Sequence, residues 1–252
     1  MRETASVNGI ILSSMPVGEA DRRLSLLTKE FGKISCFARG ARRPTSRLVG
    51  ETRPFVFGMF ELLPGKDAYT LESVDVREYF EPILSDLTRT AYGSCFLELA
   101  GRMSHENADG GPMLALLYYA LKALVRGKPE PSLVKIVFEA KTLQIEGVMP
   151  SFTQCAKCGK ALEQAEFLPA LMQPVCTDCG PSESLYPLSK SALYALNYTE
   201  KTEPGKLFAF SVTPEVEKEL KDAVGVLLRH EMNKPLAAES MLELLVGAEK
   251  GS

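Results

Sequence analysis

Short apolar runs rich in Val, Ile and Phe, separated by turn residues, occupy residues 1–80. From about residue 85 the apolar positions recur in steps of four instead. The first pattern predicts strands. VNGIILSS (7–14) is followed by a breaker, MPVGEAD (15–21). LSLLT (24–28) and KISCFARGAR (33–42) flank the turn-like KEFG. PFVFGMFELL (54–63) and AYTLESVDVREYF (68–80) flank Pro64-Gly65, a strong turn signal. Five short strands in so few residues suit a small closed barrel of the OB type; a small β-sandwich is the alternative that periodicity leaves open.

The second pattern predicts helices. Leu87, Ala91, Cys95, Leu99 and Met103 form a stripe, and GPMLALLYYALKALVRG is apolar enough for a buried helix bounded by Gly. PSLVKIVFEAKTLQIEG has Ser132 as its expected N-cap and Gly147 as its stop. After a stretch poor in apolar residues (150–182) come LSKSALYAL, then TPEVEKELKDAVGVLLRHEM with Thr213 as N-cap and Pro214 at the first position, then AAESMLELL. The expected fold is α+β and multidomain. A five-stranded OB-type barrel spans 1–80, and an α-helical domain spans 81–252 with a zinc-binding insertion at 150–182.

The insertion carries the clearest chemistry. Cys155-Ala-Lys-Cys158 and Cys176-Thr-Asp-Cys179 are two CxxC pairs seventeen residues apart. Two residues between paired cysteines let both thiolates reach one tetrahedral ion at about 2.3 Å, and four thiolates fill the shell, which leaves no open position for catalysis. The expectation is one structural Zn²⁺. Gly159 and Gly180 follow the pairs, where a positive φ would ease the tight turn of a zinc knuckle. The competing readings are reduced free thiols, or a redox CxxC that lacks its usual βαβ surroundings. Cys36 and Cys95 stand alone in apolar runs.

Net charge, −3, conceals an asymmetry. Residues 22–53 hold nine basic residues and two acidic ones, a local charge of +7 that leaves the remainder at −10. Arg22, Arg23, Lys33, Arg39, Arg42, Arg43, Arg47 and Arg53 are therefore candidate nucleic-acid contacts, because cations on a barrel neutralise phosphates, and Phe31 and Phe37 lie close by for base stacking. A solvated charge run is the bland alternative, and Phe on a strand is more often core. His105 and His230 are far apart, and GxSxG, P-loop, GxGxxG and HExxH patterns are absent, so no enzyme is expected. The chain has no apolar run of membrane-spanning length and its N-terminus has no signal pattern, so it is expected to stay in the cytoplasm.

The order of parts, with two longer runs, resembles the bacterial recombination protein O (RecO) family of DNA repair proteins. In GEADRRLSLLTKEFGKISCFARGARRPTSR the matching positions are Gly18, Glu19, Asp21, Thr28, Gly32, Lys33, Gly40, Ala41, Arg42, Arg43, Ser46 and Arg47. In FEAKTLQIEGVMPSFTQCAKCG a helix runs through Gly147 and Pro150 into the first cysteine pair. The resemblance implies a nucleoid-associated, non-catalytic mediator that binds single- and double-stranded DNA and anneals complementary strands. With RecR it would help load RecA onto DNA coated by single-strand-binding protein, whose acidic C-terminal tail some family members bind. The stretch Lys234–Ser240 carries Glu239 where the resemblance leads one to expect a basic residue, so no partner-binding residue is assigned there. Two other classes stay in view: a zinc-containing adaptor whose basic barrel takes acidic protein tails, and a metal-dependent nuclease with dispersed carboxylates.

Overall fold

The computed structural model of the protein describes residues 4–181 and 186–249. Ser182, the expected end of the zinc insertion, and the chain ends 1 and 252 lie outside them. The chain divides into two compact units, 1–125 with 236–252, and 126–235.

In the first unit, β1 (Ala5–Val17), β2 (Asp21–Thr28), β3 (Gly32–Ala38), β4 (Phe57–Leu63) and β5 (Tyr69–Glu78) close into a barrel of order β1-β2-β3-β5-β4. All neighbours are antiparallel except β3 and β5, which pair in parallel at Cys36–Tyr69 and Phe37–Thr70. This is the expected five-stranded barrel. Its interior is filled, not hollow: Val7, Ile11, Leu24, Ile34, Phe60 and Leu62 meet there with almost no solvent exposure. At roughly 25 cal/mol per Å² of apolar surface removed from water, each such side chain is worth about 1.5–3 kcal/mol.

Two strand limits differ from expectation. β1 does not stop at Ser14 but runs on through Met15, Pro16 and Val17, which pair with Arg23, Arg22 and Asp21. The breaker is only Gly18–Ala20, because Gly18 (φ +56°) alone makes the reversal. β3 ends at Ala38, four residues before the end of its apolar run. The one-turn α1 (Leu48–Glu51) then precedes β4.

The short α2 (Glu81–Leu84) leads into α3 (Leu87–Met103), whose N-cap Asp86 accepts from the Arg89 amide at 3.0 Å. The other cap is supplied by the barrel: Lys33 Nζ donates to the Gly101 carbonyl at 2.6 Å, a cation at the negative end of the helix. α4 (Gly111–Arg126) buries an apolar face, and α9 (Ala237–Glu249) returns to this unit against α3. Glu98 of α3 clasps the start of α9 by accepting from the Ala237 and Ala238 amides at 3.0 and 2.9 Å.

The second unit is built on α5 (Pro131–Ile145), α6 (Lys190–Lys201), the short α7 (Pro204–Leu207) and α8 (Pro214–Glu231). Here the cap expected at Ser132 is Glu130 instead, with Pro131 at the first position. Proline there loses no hydrogen bond, since its missing N–H would be an orphan anyway. Thr213 caps α8 as expected, accepting from the Val216 amide. Between α5 and α6, β6 (Ala165–Leu168) pairs with both β7 (Gln173–Val175) and β8 (Pro187–Leu188) in a small sheet.

Candidate metal centre and nucleic-acid interface

The sheet of the second unit exists to present cysteines. A bridge between Gln154 and Ala161 closes the first knuckle, and β7 delivers Cys176 at the head of the second. Gly159 N–H bonds the Cys155 carbonyl at 2.9 Å; Cys179 and Gly180 N–H both bond the Cys176 carbonyl at 3.0 Å. The Ala156 amide reaches the Pro174 carbonyl at 3.0 Å, and Lys157 Nζ reaches the Cys179 carbonyl at 2.9 Å, so the knuckles are tied to each other. Gly159 has the positive φ (+73°) expected of it. Gly180 does not, and a Cβ there would meet its neighbours at ordinary contact distance, 3.4 Å from the Glu166 Cβ, so nothing in the structure explains a glycine at this position.

The four sulfurs all lie within 4.8 Å of one another. Cys158 and Cys176 are 3.7 Å apart, against about 3.8 Å between corners of a tetrahedron with thiolates ~2.3 Å from its centre. The donor set therefore fits one metal ion held by sulfur alone. The apolar support is thin: Cys155, Val175 and Cys176 are buried with Leu162 and Leu168 against them. Burial alone would raise the Cys155 thiol, but the Cys176, Cys158 and Lys157 amides aimed at its sulfur outweigh this and bring it from 9.0 down to about 6. Hydrogen bonds with Cys176 and Cys158, then burial and the nearby Cys155 charge, push Cys179 up to about 12. A bound cation removes this conflict, since each thiolate then faces positive charge rather than another thiolate.

On the barrel, the residues of the family-like run turn out to build a platform for the arginines. Asp21 accepts from the Gly40 amide at 2.8 Å, the Arg42 amide bonds the Ala20 carbonyl at 2.8 Å, and Arg42 Nη1 donates to the Gly18 carbonyl at 3.0 Å. Ala41 is fully buried beneath them. These bonds stitch the loop 39–47 onto the β1–β2 turn. Thr28 Oγ1 holds the other turn, donating to the Gly32 carbonyl and accepting from the Phe31 amide. At Gly32 (φ +63°) a Cβ would sit 2.2 Å from the His105 carbonyl oxygen, so no larger residue fits.

The eight basic candidates divide by what they already do. Lys33 is bound to Gly101, and Arg22 Nη1 donates to Ser14 Oγ and the Thr52 carbonyl, both at 3.3 Å. Arg23 is exposed on the outer face of β2, and its Nε donates to Ser35 Oγ at 2.9 Å. Arg39, Arg42 and Arg43 project from the stitched loop, all exposed. Arg47, 90% exposed, pairs with Glu51 at 3.6 Å. Arg53 follows α1. Among the described residues, Arg39, Arg43 and Arg53 have no side-chain hydrogen bond or ion pair. Phe37 is half-buried on the outer face opposite Arg23, whereas Phe31 packs on the barrel core, its ring 6.0 Å from that of Tyr69. The Glu98 clasp carries no mark in the sequence, because its partners are 139 residues away and are backbone groups.

Among the described residues no helix is long and apolar enough to cross a membrane. The family model for the recombination protein O N terminal region matches residues 1–80, and that for its C terminal region matches residues 84–239. The chain is 34% identical over 215 residues to the DNA repair protein RecO of Acetivibrio thermocellus, covering 84% of this chain and 86% of that one. It is 30% identical over 246 residues to the RecO of Anaeromyxobacter dehalogenans strain 2CP-1, with 96% of each chain covered. With the RecO of Anaeromyxobacter sp. strain Fw109-5 the identity is 32% over 249 residues, 96% and 97% of the two chains. A basic five-stranded barrel, helices and a four-cysteine knuckle pair thus coincide with matches along almost the whole length: the chain belongs to the RecO family of DNA repair proteins.

Proposed function

We propose that the protein is a non-catalytic recombination mediator: it binds single- and double-stranded DNA through the basic barrel, anneals complementary strands, and with RecR assists RecA loading onto DNA coated by single-strand-binding protein. The observation that carries this reading is the stitched arginine loop. Backbone bonds, Asp21 and one nitrogen of Arg42 hold its course, and the guanidinium groups of Arg39 and Arg43 are presented to solvent with no internal partner among the described residues. Arginines on such a surface displace the cations condensed on DNA phosphates, which supplies affinity without base specificity, as an annealing protein requires. Arg23, Arg39, Arg42, Arg43, Arg47 and Arg53 are assigned to DNA contact, and Arg22 and Lys33 to holding the barrel's own structure. The metal is assigned as one Zn²⁺ on Cys155, Cys158, Cys176 and Cys179, in keeping with an all-thiolate tetrahedral set.

The test is annealing of two complementary oligonucleotides with and without the protein at two salt concentrations. Acceleration that fades with salt supports the proposal. Absence of annealing and of DNA binding at low salt, with tight binding of an acidic protein tail, would replace it with the adaptor reading; strand cleavage on adding Mg²⁺ would replace it with a nuclease. Metal analysis of purified protein should give one zinc per chain.

A further inference from the structure

The four sulfurs of the metal centre are not equivalent. Cys155 and Cys176 are buried, at 3% and 6% exposure, Cys179 is half-buried, and Cys158 is exposed. Cys155 sits in the small apolar cluster with Val175 and Cys176, and the Cys176, Cys158 and Lys157 amides are aimed at its sulfur. Cys158 is the ligand that solvent reaches. It is carried on the first knuckle, and the Cys176 sulfur, 3.7 Å away, is carried on the second. Three other contacts cross between the knuckles at this point. The Ala156 amide bonds the Pro174 carbonyl at 3.0 Å, Lys157 Nζ bonds the Cys179 carbonyl at 2.9 Å, and Lys160 Nζ pairs with Asp178 at 3.2 Å. The turn that bears Cys158 is thus held against Cys176 by bonds that need no metal.

We propose that Cys158 is a site of oxidation by hydroperoxides, and that the product is a Cys158–Cys176 disulfide which empties the metal centre. The inference rests on the metal assignment above and goes beyond it, from a fixed structural ion to a releasable one. A bound cation keeps each ligand in the thiolate form, which is the nucleophile, so access decides which sulfur reacts. Cys158 has that access and the three others have less. Its thiolate attacks one peroxide oxygen, the O–O bond breaks, and the other oxygen leaves as water with a proton from solvent. Cys158 is then a sulfenic acid. The Cys176 thiolate attacks this sulfur from across the site. The S–S bond forms, the S–O bond breaks, and the hydroxyl leaves as a second water with a second solvent proton. Two sulfurs have given up two electrons and the peroxide has taken both. Cys155 and Cys179 remain, two sulfurs where a closed shell needs four, so the ion is no longer held. Because the new bond joins the knuckles, the segment stays tied after the ion has gone. Cys36 and Cys95 are buried and stay reduced under the same exposure.

The test uses the full-length, zinc-loaded protein, hydrogen peroxide and a chromogenic zinc chelator that reports released metal. Peroxide should release the one zinc per chain and leave a product lighter than the reduced apoprotein by two hydrogen atoms. Dithiothreitol with added zinc should restore the starting protein. Trypsin cuts after Lys157 and endoproteinase Asp-N cuts before Asp178, so together they separate all four cysteines. The Cys158 and Cys176 peptides should then be found linked. A Cys155–Cys158 or Cys176–Cys179 linkage overturns the proposal. A chain that binds no zinc at all overturns the metal assignment itself. Zinc that is bound and stays bound, while glutathione in the same tube is oxidised, overturns the oxidation site alone. Cys158→His keeps four zinc ligands without the exposed sulfur, since imidazole also binds zinc, and its release should fall to that of a peroxide-free sample. Cys179→His should still release its zinc, and equal release from both variants counts against Cys158. Should Cys158→His take up no zinc, the linkage map of the unmodified chain decides alone.

Discussion

If the arginine surface binds phosphates, its salt dependence can be worked out beforehand. Six side chains have donors to spare: Arg23, Arg39, Arg42, Arg43, Arg47 and Arg53. Six contacts to a single strand give a slope of log affinity against log salt of about −4, at roughly −0.7 per phosphate. Between 50 and 200 mM salt the affinity should then fall about 300-fold. Changing Arg39 and Arg43 together to Ala removes two of the six without touching the bonds that fix the loop, since neither side chain is engaged. The slope should drop to about −3 and the loss over the same salt range to roughly 50-fold. Fluorescence anisotropy of a labelled oligothymidylate, titrated at several salt concentrations, reads both slopes. A double variant with the parent slope would show that these arginines do not meet phosphate. A parent slope near zero would mean that the basic surface does not bind DNA through charge at all.

Three further outcomes follow from particular contacts. Chelation should loosen residues 152–180 and spare the barrel, because the knuckles have little apolar support while metal binding in small zinc peptides is worth about 10–16 kcal/mol; hydrogen exchange that shows the barrel strands opening on chelation would refute this. Glu98→Gln should weaken the clasp on α9 by about 1–2 kcal/mol, less than a buried carboxylate would give because the site is partly open to solvent. Burial opposes ionisation of Glu98, but the Ala238 and Ala237 amides and Arg102 hold it below the ordinary 4.5. The wild-type clasp is therefore full above that range and lost as pH falls through the lowered value. Faster exchange of the α9 amides in acid, absent from the variant, is the readout, and pH-independent exchange would contradict it. Cys36, inside the barrel with its thiol pushed up to about 12 by burial, should resist thiol reagents in the native protein at mildly alkaline pH and react in urea; quick native labelling would mean the barrel opens.

The local rules were enough for much of this molecule. Strand runs, the turn at Gly159, the cap at Thr213, and the spacing of the four cysteines are written in neighbouring residues. Each depends on interactions within a few positions, which a linear pattern records. The charge block at residues 22–53 was legible in the same way. Its internal division was not. That Lys33 caps α3 at Gly101, 68 residues away, while Arg43 ten residues later stays free, depends on which strands the barrel brings together. The extra length of β1 was hidden because Pro16 and Gly18 look like breakers until a partner strand fixes their conformation. Ser13, Ser25 and Ser35 stand side by side on three strands only through register. The clasp of Glu98 on α9 joins a side chain to backbone amides, which every residue possesses and no sequence marks. Sequence alone marked the five barrel strands, the longer helices and a four-sulfur donor set, but not the small β6–β8 sheet that carries part of that set. Tertiary structure decided which charges are spent and which are offered, because that depends on partners distant along the chain and adjacent only in the fold.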